Sequence, residues 1–164
     1  MSVWTAALVC LLAVVPGQQT TIDRILAVVN GDLITLSDVR AARVLQLVLA
    51  DSTDVAVLDI LVERRLVLSE MRRFQAADPA PAALAARKVE WQGRIGAVAP
   101  VSLFEDAGVT PEFLDRWLAD DLRREAYLEQ RFAALDAGRR VDAIRLWIVG
   151  LRTRANVSYR IQRF

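Results

Sequence analysis

An Asn-Gly pair at positions 30 and 31 separates a β-branched apolar run, Ile22 to Val29, from a shorter one, Leu33 to Leu36. Both central residues of a type I′ turn need positive φ, which Asn and Gly tolerate, so the pair predicts a β-hairpin. Ile25, Ala27 and Val29 face one way and Leu26 and Val28 the other. Because both sets are apolar, the strand is expected to be covered on both faces. At the far end of the chain Val157, Tyr159 and Ile161 alternate with Ser158, Arg160 and Gln162, the period of a half-buried strand. A lone terminal strand has to pair, and the hairpin is the only other β material. The two ends of the chain are therefore expected to meet in one small antiparallel sheet.

Between these ends the periodicity is helical. Thr35 and Asp38 form a capping-box pattern, with Ser37 as a competing cap, and predict a helix to about Ala50. After the polar break Asp51 to Asp54, the run from Val55 to Ala76 reads as the longest apolar helix of the protein. Val57, Ile60, Leu61, Leu68, Met71 and Phe74 share one arc, and Leu58, Val62 and Leu66 form a second stripe, which puts this helix at the centre of the core. Asp78-Pro79-Ala80-Pro81 stops it. A weaker pattern over Ala82 to Val98 places Leu84, Trp91, Ile95 and Val98 on one face, with Gly93 and Gly96 each costing about 1 kcal/mol of helix propensity. Ala99-Pro100-Val101-Ser102 reads as a connecting stretch leading to Phe104. Thr110-Pro111-Glu112 is a well-formed helix start, with Val109 able to staple onto Leu114, and predicts a helix to about Phe132. Its stripe is Leu114, Trp117, Leu118, Leu128 and Phe132. A last helix, about Arg140 to Ala155, is expected to bury Val141, Ile144, Ile148 and Leu151. The fold class expected is mainly α with a small antiparallel sheet.

With 164 residues the chain suits one domain of ordinary size, and 54% hydrophobic against 25% charged residues describes a globular composition. Lys+Arg is 21 and Asp+Glu 20, interspersed, which lacks the one-sided basic field that nucleic acid requires. Residues Val3 to Val15 carry no charge. That run is too short for a membrane span but suits a signal-peptide core, with Gly17 marking a cleavage point before Gln18. A signal peptide over residues 1–17, export to the periplasm and a mature domain over 18–164 are the expectation, an uncleaved membrane tether the alternative. Cys10, the single cysteine, lies inside that run, so the mature chain is expected to have no thiol and no disulfide.

The chain has no histidine, which removes the commonest general base and metal ligand, and Ser-His-Asp and Cys-His catalysis with it. Asp120 with Asp121, or Asp121 with Glu125, are conceivable carboxylate pairs for acid/base or metal chemistry, but pairing with Arg123, Arg124 or Arg131 is the plainer reading of them. No Gly-rich phosphate loop is present, and Gly93-x-x-Gly96 lacks both the length and the lysine. No enzyme activity, cofactor, metal or nucleotide is expected.

The segment IDRILAVVNGDLITLSDV resembles the opening of the N-terminal domain of SurA-type periplasmic folding factors. LDILVERRLVLSEMRRF is similar to that family's second helix, GVTPEFLDRWLADDLRREAYLEQRF to its later helix, and VDAIRLWIVGLRTRANVSYRI to its closing helix and strand. In SurA, parvulin-type prolyl isomerase domains stand between the last two of these, where this chain has only about Ala133 to Arg139. The resemblance therefore implies the chaperone module alone, an ATP-independent holdase for unfolded envelope or outer-membrane proteins. It also implies extended polypeptide segments as partners, and a monomer or weak dimer is expected. The alternative is a non-catalytic subunit with one dedicated partner in the cell envelope. A holdase needs accessible apolar surface, and Trp91, Ile95, Val98 and Phe104 are the candidate client-binding residues because they lie in the weaker helix and the Pro-containing stretch after it.

Overall fold

The computed structural model describes residues 23–49, 52–74 and 77–160. The expected leader over residues 1–17, Cys10 and Ile161 lie outside the described residues. The fold is mainly α with one small sheet. Strands β1 (Ile25–Val29) and β2 (Asp32–Thr35) form the hairpin, helices α1 (Leu36–Val44), α2 (Asp54–Met71), α3 (Pro81–Ile95), α4 (Pro100–Ala107), α5 (Pro111–Arg131) and α6 (Ala137–Arg154) follow, and β3 (Val157–Tyr159) closes the chain.

The turn has the geometry its residues predict, with φ of 51° at Asn30 and 92° at Gly31. Strand order is β2-β1-β3, all antiparallel, with Val29 opposite Val157 and Ala27 opposite Tyr159. The N-terminal hairpin and the C-terminal strand do meet in one sheet. A bulge between Ile25 and Ala27 breaks the strict alternation expected of β1, so that the sequence neighbours Leu26 and Ala27 are both buried while Ile25 is exposed.

Thr35 caps α1 through a complete capping box: the Asp38 N–H donates to Thr35 Oγ1 at 3.3 Å and the Thr35 N–H to Asp38 Oδ2 at 2.9 Å. Ser37 is not the cap; its N–H donates to Asp23 Oδ1. The helix stops at Val44 rather than near Ala50. Gln46 takes a left-handed conformation, φ 51°, and the Leu47 N–H closes onto the Ala42 carbonyl at 2.9 Å, a Schellman ending that uses glutamine where glycine is usual. The same motif ends α4 with its expected residue: Gly108 is left-handed and the Val109 N–H bonds the Phe104 carbonyl. Thus the stretch read as a connection at 99–102 is the start of a helix, entered through Pro100 in its first turn.

Helix α2 is the centre of the first core. Val57, Leu58, Leu61, Val62, Leu66, Val67 and Met71 are all buried against the sheet and Leu151 of α6; the second expected stripe is wholly among them, and of the first Val57, Leu61 and Met71 are, with Leu68 half-buried. Ile60 and Phe74 depart from the expected arc. Ile60 is exposed, and Phe74 falls in a 3₁₀ turn, Arg72–Phe74, whose tighter winding carries it outward. The second core joins α1, α3, α4 and α5 around Leu45, Trp91, Ile95, Leu103, Leu114 and Leu118, with Trp117 touching both cores. Helix α3 ends at Ile95, three residues before Val98, because Gly96 leaves helical geometry at φ 65°. Thr110 occupies the N-cap position of α5 but its hydroxyl makes no capping bond. Helix α6 begins at Ala137, earlier than expected, because Asp136 caps it by accepting from the Arg139 N–H at 3.0 Å. Val141, expected inside, is exposed, and only Leu151 of its proposed face is fully buried; Ile144 and Ile148 are half-buried.

Candidate functional site

The four residues singled out in the sequence do not form one open surface. Trp91 is buried in the second core, where its indole N–H donates to the Leu45 carbonyl at 2.7 Å and its ring stacks on Phe104 with centroids 5.9 Å apart. Ile95 is buried beside it, Phe104 is half-buried and Val98, beyond the helix end, is 45% exposed. The structure brings Trp91, Ile95 and Phe104 together as packing, and leaves Val98 outside it.

Open concave surface lies instead along the seam between α2 and α5. Three adjoining hollows share lining residues. The first, about 390 Å³, is floored by Leu61, Leu68 and Trp117 and walled by Phe113, Arg65 and Arg116. The second, about 370 Å³, shares Arg65, Leu68 and Asp120 with it and continues to Met71 and Arg123. The third, about 640 Å³, shares Arg123 and opens between Phe74, Tyr127 and Arg131. Together they make a trough that follows α5 from Phe113 to Arg131, about 27 Å at 1.5 Å per residue. An extended chain rises about 3.3 Å per residue, so the trough spans roughly eight residues of one.

The trough is aromatic at both ends. Phe113 and Trp117 lie 6.0 Å apart at one end; Phe74 and Tyr127 lie 5.9 Å apart at the other, where Tyr127 in turn meets Trp147 of α6. The α2–α5 pairing that frames the trough is anchored by Arg64, the buried charged residue of the core, with 8% of its side chain exposed. Its guanidinium bonds Asp121, donates to the Trp117 carbonyl at 2.8 Å and stacks 4.0 Å above the Trp117 ring. Burial lowers the Arg64 pKa and Asp121 opposes that shift, so the ion is held by its partners rather than by water. Arg64 follows Leu61 by one helical turn on the apolar arc of α2. A charged residue at that position was the sequence signal for a buried ion pair.

The carboxylates weighed as chemical pairs are all engaged by arginine. Asp120 binds Arg123 at 2.7 Å, Asp121 binds Arg64 and lies 3.4 Å from Arg124, and Glu125 binds Arg87 of α3 through both oxygens at 2.8 and 2.6 Å. Arg87 holds the Glu125 carboxyl below its ordinary pKa, burial opposing. This network ties α2, α3 and α5 together. Among the described residues no three His, Cys, Asp or Glu side chains converge where a metal ion could sit, and no helix is long and apolar enough to cross a membrane.

No family model, no curated protein and no solved structure matches this chain. The class the geometry defines is a mainly helical module with a two-part core and one long mixed apolar and basic trough.

Proposed function

We propose that the protein is an ATP-independent holdase that binds extended segments of unfolded exported proteins, acting as a chaperone module of the SurA N-terminal type without an isomerase domain. The observation that carries this reading is the α2–α5 trough: its length, its aromatic ends and its open side suit an extended chain better than a compact small molecule. A groove lined by long, adaptable side chains such as Leu68, Met71, Arg65 and Arg123 accommodates many sequences, as a holdase requires. The arrangement of hairpin, helices and closing strand in one sheet is also the order implied by the segments that resemble that family. On this reading the protein is exported through its N-terminal leader, works in the periplasm on envelope or outer-membrane clients, and performs no covalent chemistry.

One feature favours a second reading, a non-catalytic subunit with a dedicated partner. Helix α6 leaves Val141, Leu146 and Val149 uncovered, with Leu146 71% exposed. Light scattering from an unfolded outer-membrane protein diluted into buffer, with and without the purified protein at near-stoichiometric ratio, separates the two. Suppressed aggregation without nucleotide is expected. No suppression by a demonstrably folded sample would reject the holdase and leave the dedicated-partner reading.

A further inference from the structure

We propose that the trough selects its clients by charge as well as by shape: Arg65 and Arg116 hold an acidic side chain of an extended polypeptide while a neighbouring aromatic or aliphatic side chain sits on Leu68 and Trp117. This rests on the trough being a polypeptide groove and names the chemistry of the segment it takes.

The inference comes from which arginines of the trough already have partners. Arg64 is bound to Asp121, Arg72 to Asp32 at 2.7 Å and Arg123 to Asp78 at 2.6 Å. Arg65 and Arg116 line the first hollow from α2 and α5, and among the described residues neither has a carboxylate within ion-pair distance. The acidic groups of that hollow are committed elsewhere. Asp38 accepts from the Thr35 backbone in the capping box, and Asp120 faces Arg123 at 2.7 Å, with Arg64 at 3.9 Å. Glu112, one turn before Arg116 on α5, is exposed; its pKa is lowered first by a hydrogen bond with Thr110 and also by the charge of Arg116, which lies beyond ion-pair distance.

The first hollow therefore presents two guanidinium groups outside any ion pair, Arg116 balanced only in part by the more distant Glu112, beside an apolar floor. An ion pair between freely exposed groups gains little, but one formed in a partly dehydrated groove is stronger, and the planar guanidinium is suited to a carboxylate. Phe113 and Arg116 are one helical turn apart on the wall that carries Trp117. In an extended chain, side chains at i and i+2 point the same way about 7 Å apart. A carboxylate at i and an aromatic ring at i+2 can thus engage the arginines and the apolar floor together. The same pair disfavours Lys- or Arg-rich segments, a repulsive element that adds to selectivity.

The test is a fluorescence anisotropy titration of the purified protein with three labelled peptides about eight residues long. On one face of the extended chain aromatic residues alternate with Glu, Gln or Lys, so that each variable residue stands two positions from a ring, and serine fills the other face in all three. The Glu peptide is expected to bind about tenfold more tightly than the Gln peptide at low salt, and the Lys peptide most weakly. The spread should narrow as salt is raised. Arg65→Gln with Arg116→Gln should bring the Glu- and Gln-peptide affinities together, abolishing the Glu preference; Arg65→Glu with Arg116→Glu should invert the order. Equal binding of all three by the unaltered protein would overturn the charge selection and leave the groove reading standing. Binding of none by a folded sample would overturn both.

Discussion

Asn30 and Asn156 bond to each other in both directions across the sheet: the Asn30 N–H donates to the Asn156 carbonyl at 2.9 Å, and the Asn156 N–H donates to Asn30 Oδ1 at 3.0 Å. Asn30 also reaches α2, donating from Nδ2 to Ser69 Oγ. One turn residue thereby fixes the hairpin, the closing strand and the central helix relative to each other. Asn30→Ala loses both side-chain bonds and places a residue with a less tolerant backbone at φ 51°. It is expected to cost about 1–3 kcal/mol in chemical denaturation. Asn30→Gly keeps the conformational freedom and should fall between the two.

Removal of residues 156–164 tests whether the closing strand belongs to the cooperative unit. It deletes the pairing of β1 with β3, the bond from the Arg160 N–H to the Leu26 carbonyl, and the Tyr159 hydroxyl that donates to Asp59 of α2 at 2.9 Å. A lower unfolding midpoint in a single transition is expected by circular dichroism, since it exposes the edge of β1 beside the first core. An unchanged midpoint would mean the closing strand contributes nothing to the stability of the helices.

Arg64→Ala leaves Asp121 facing the α2–α5 seam with only Arg124 as partner and opens space beneath Trp117. A loss of about 3 kcal/mol is expected, the scale for breaking a buried pair on one side. Arg64→Met combined with Asp121→Leu removes both charges at similar volume and should recover most of it. A double variant as unstable as Arg64→Ala would show that the cost lies in packing rather than in the orphaned carboxylate.

The Arg87–Glu125 pair ties α3 to α5 and has a pH signature. Hydrogen bonds from Arg87 lower the Glu125 pKa, against a smaller effect of burial. A carboxyl whose folded pKa is depressed contributes stability above its unfolded value and loses it as pH falls through the folded one. Glu125→Gln is therefore expected to lower Tm modestly at about pH 7, by an amount equivalent to ~0.5 kcal/mol given the exposure of the pair, and the difference should shrink as pH falls below the ordinary carboxylate range. A difference that persists in acid would assign the effect to shape rather than charge.

How far the chain could be read in advance depends on how local each signal is. Asn30-Gly31, Thr35 with Asp38 and the strand at 157–159 are local signals, and each element forms where its residues place it, although Tyr159, expected on the inner side of that strand, is exposed. Gln46 is the counterexample: it performs the C-terminal turn that Gly108 performs for α4, but nothing in a glutamine announces a left-handed residue, so α1 was expected to run on to about Ala50. Phe74 continues the spacing of the buried arc, yet the change to 3₁₀ winding at Arg72 turns it outward. The trough was not legible for a further reason. Arg65 and Arg116 are about fifty residues apart, and their lack of partners becomes visible only once Asp38 and Asp120 are seen to be engaged elsewhere. Trp91 shows the converse, since its place in a weak helix suggested accessibility while packing against Leu45 and Phe104 encloses it.

Site-directed photo-crosslinking tests most directly whether the α2–α5 trough holds extended polypeptide. A photoreactive phenylalanine analogue is placed at Phe113 or Phe74, at opposite ends of the trough, or at Leu146 on the outer face of α6, and each protein is irradiated with an unfolded outer-membrane polypeptide. Crosslinks from positions 113 and 74 and none from 146 are predicted. Crosslinks confined to 146, or none from either end of the trough under conditions where the protein suppresses aggregation, would contradict it.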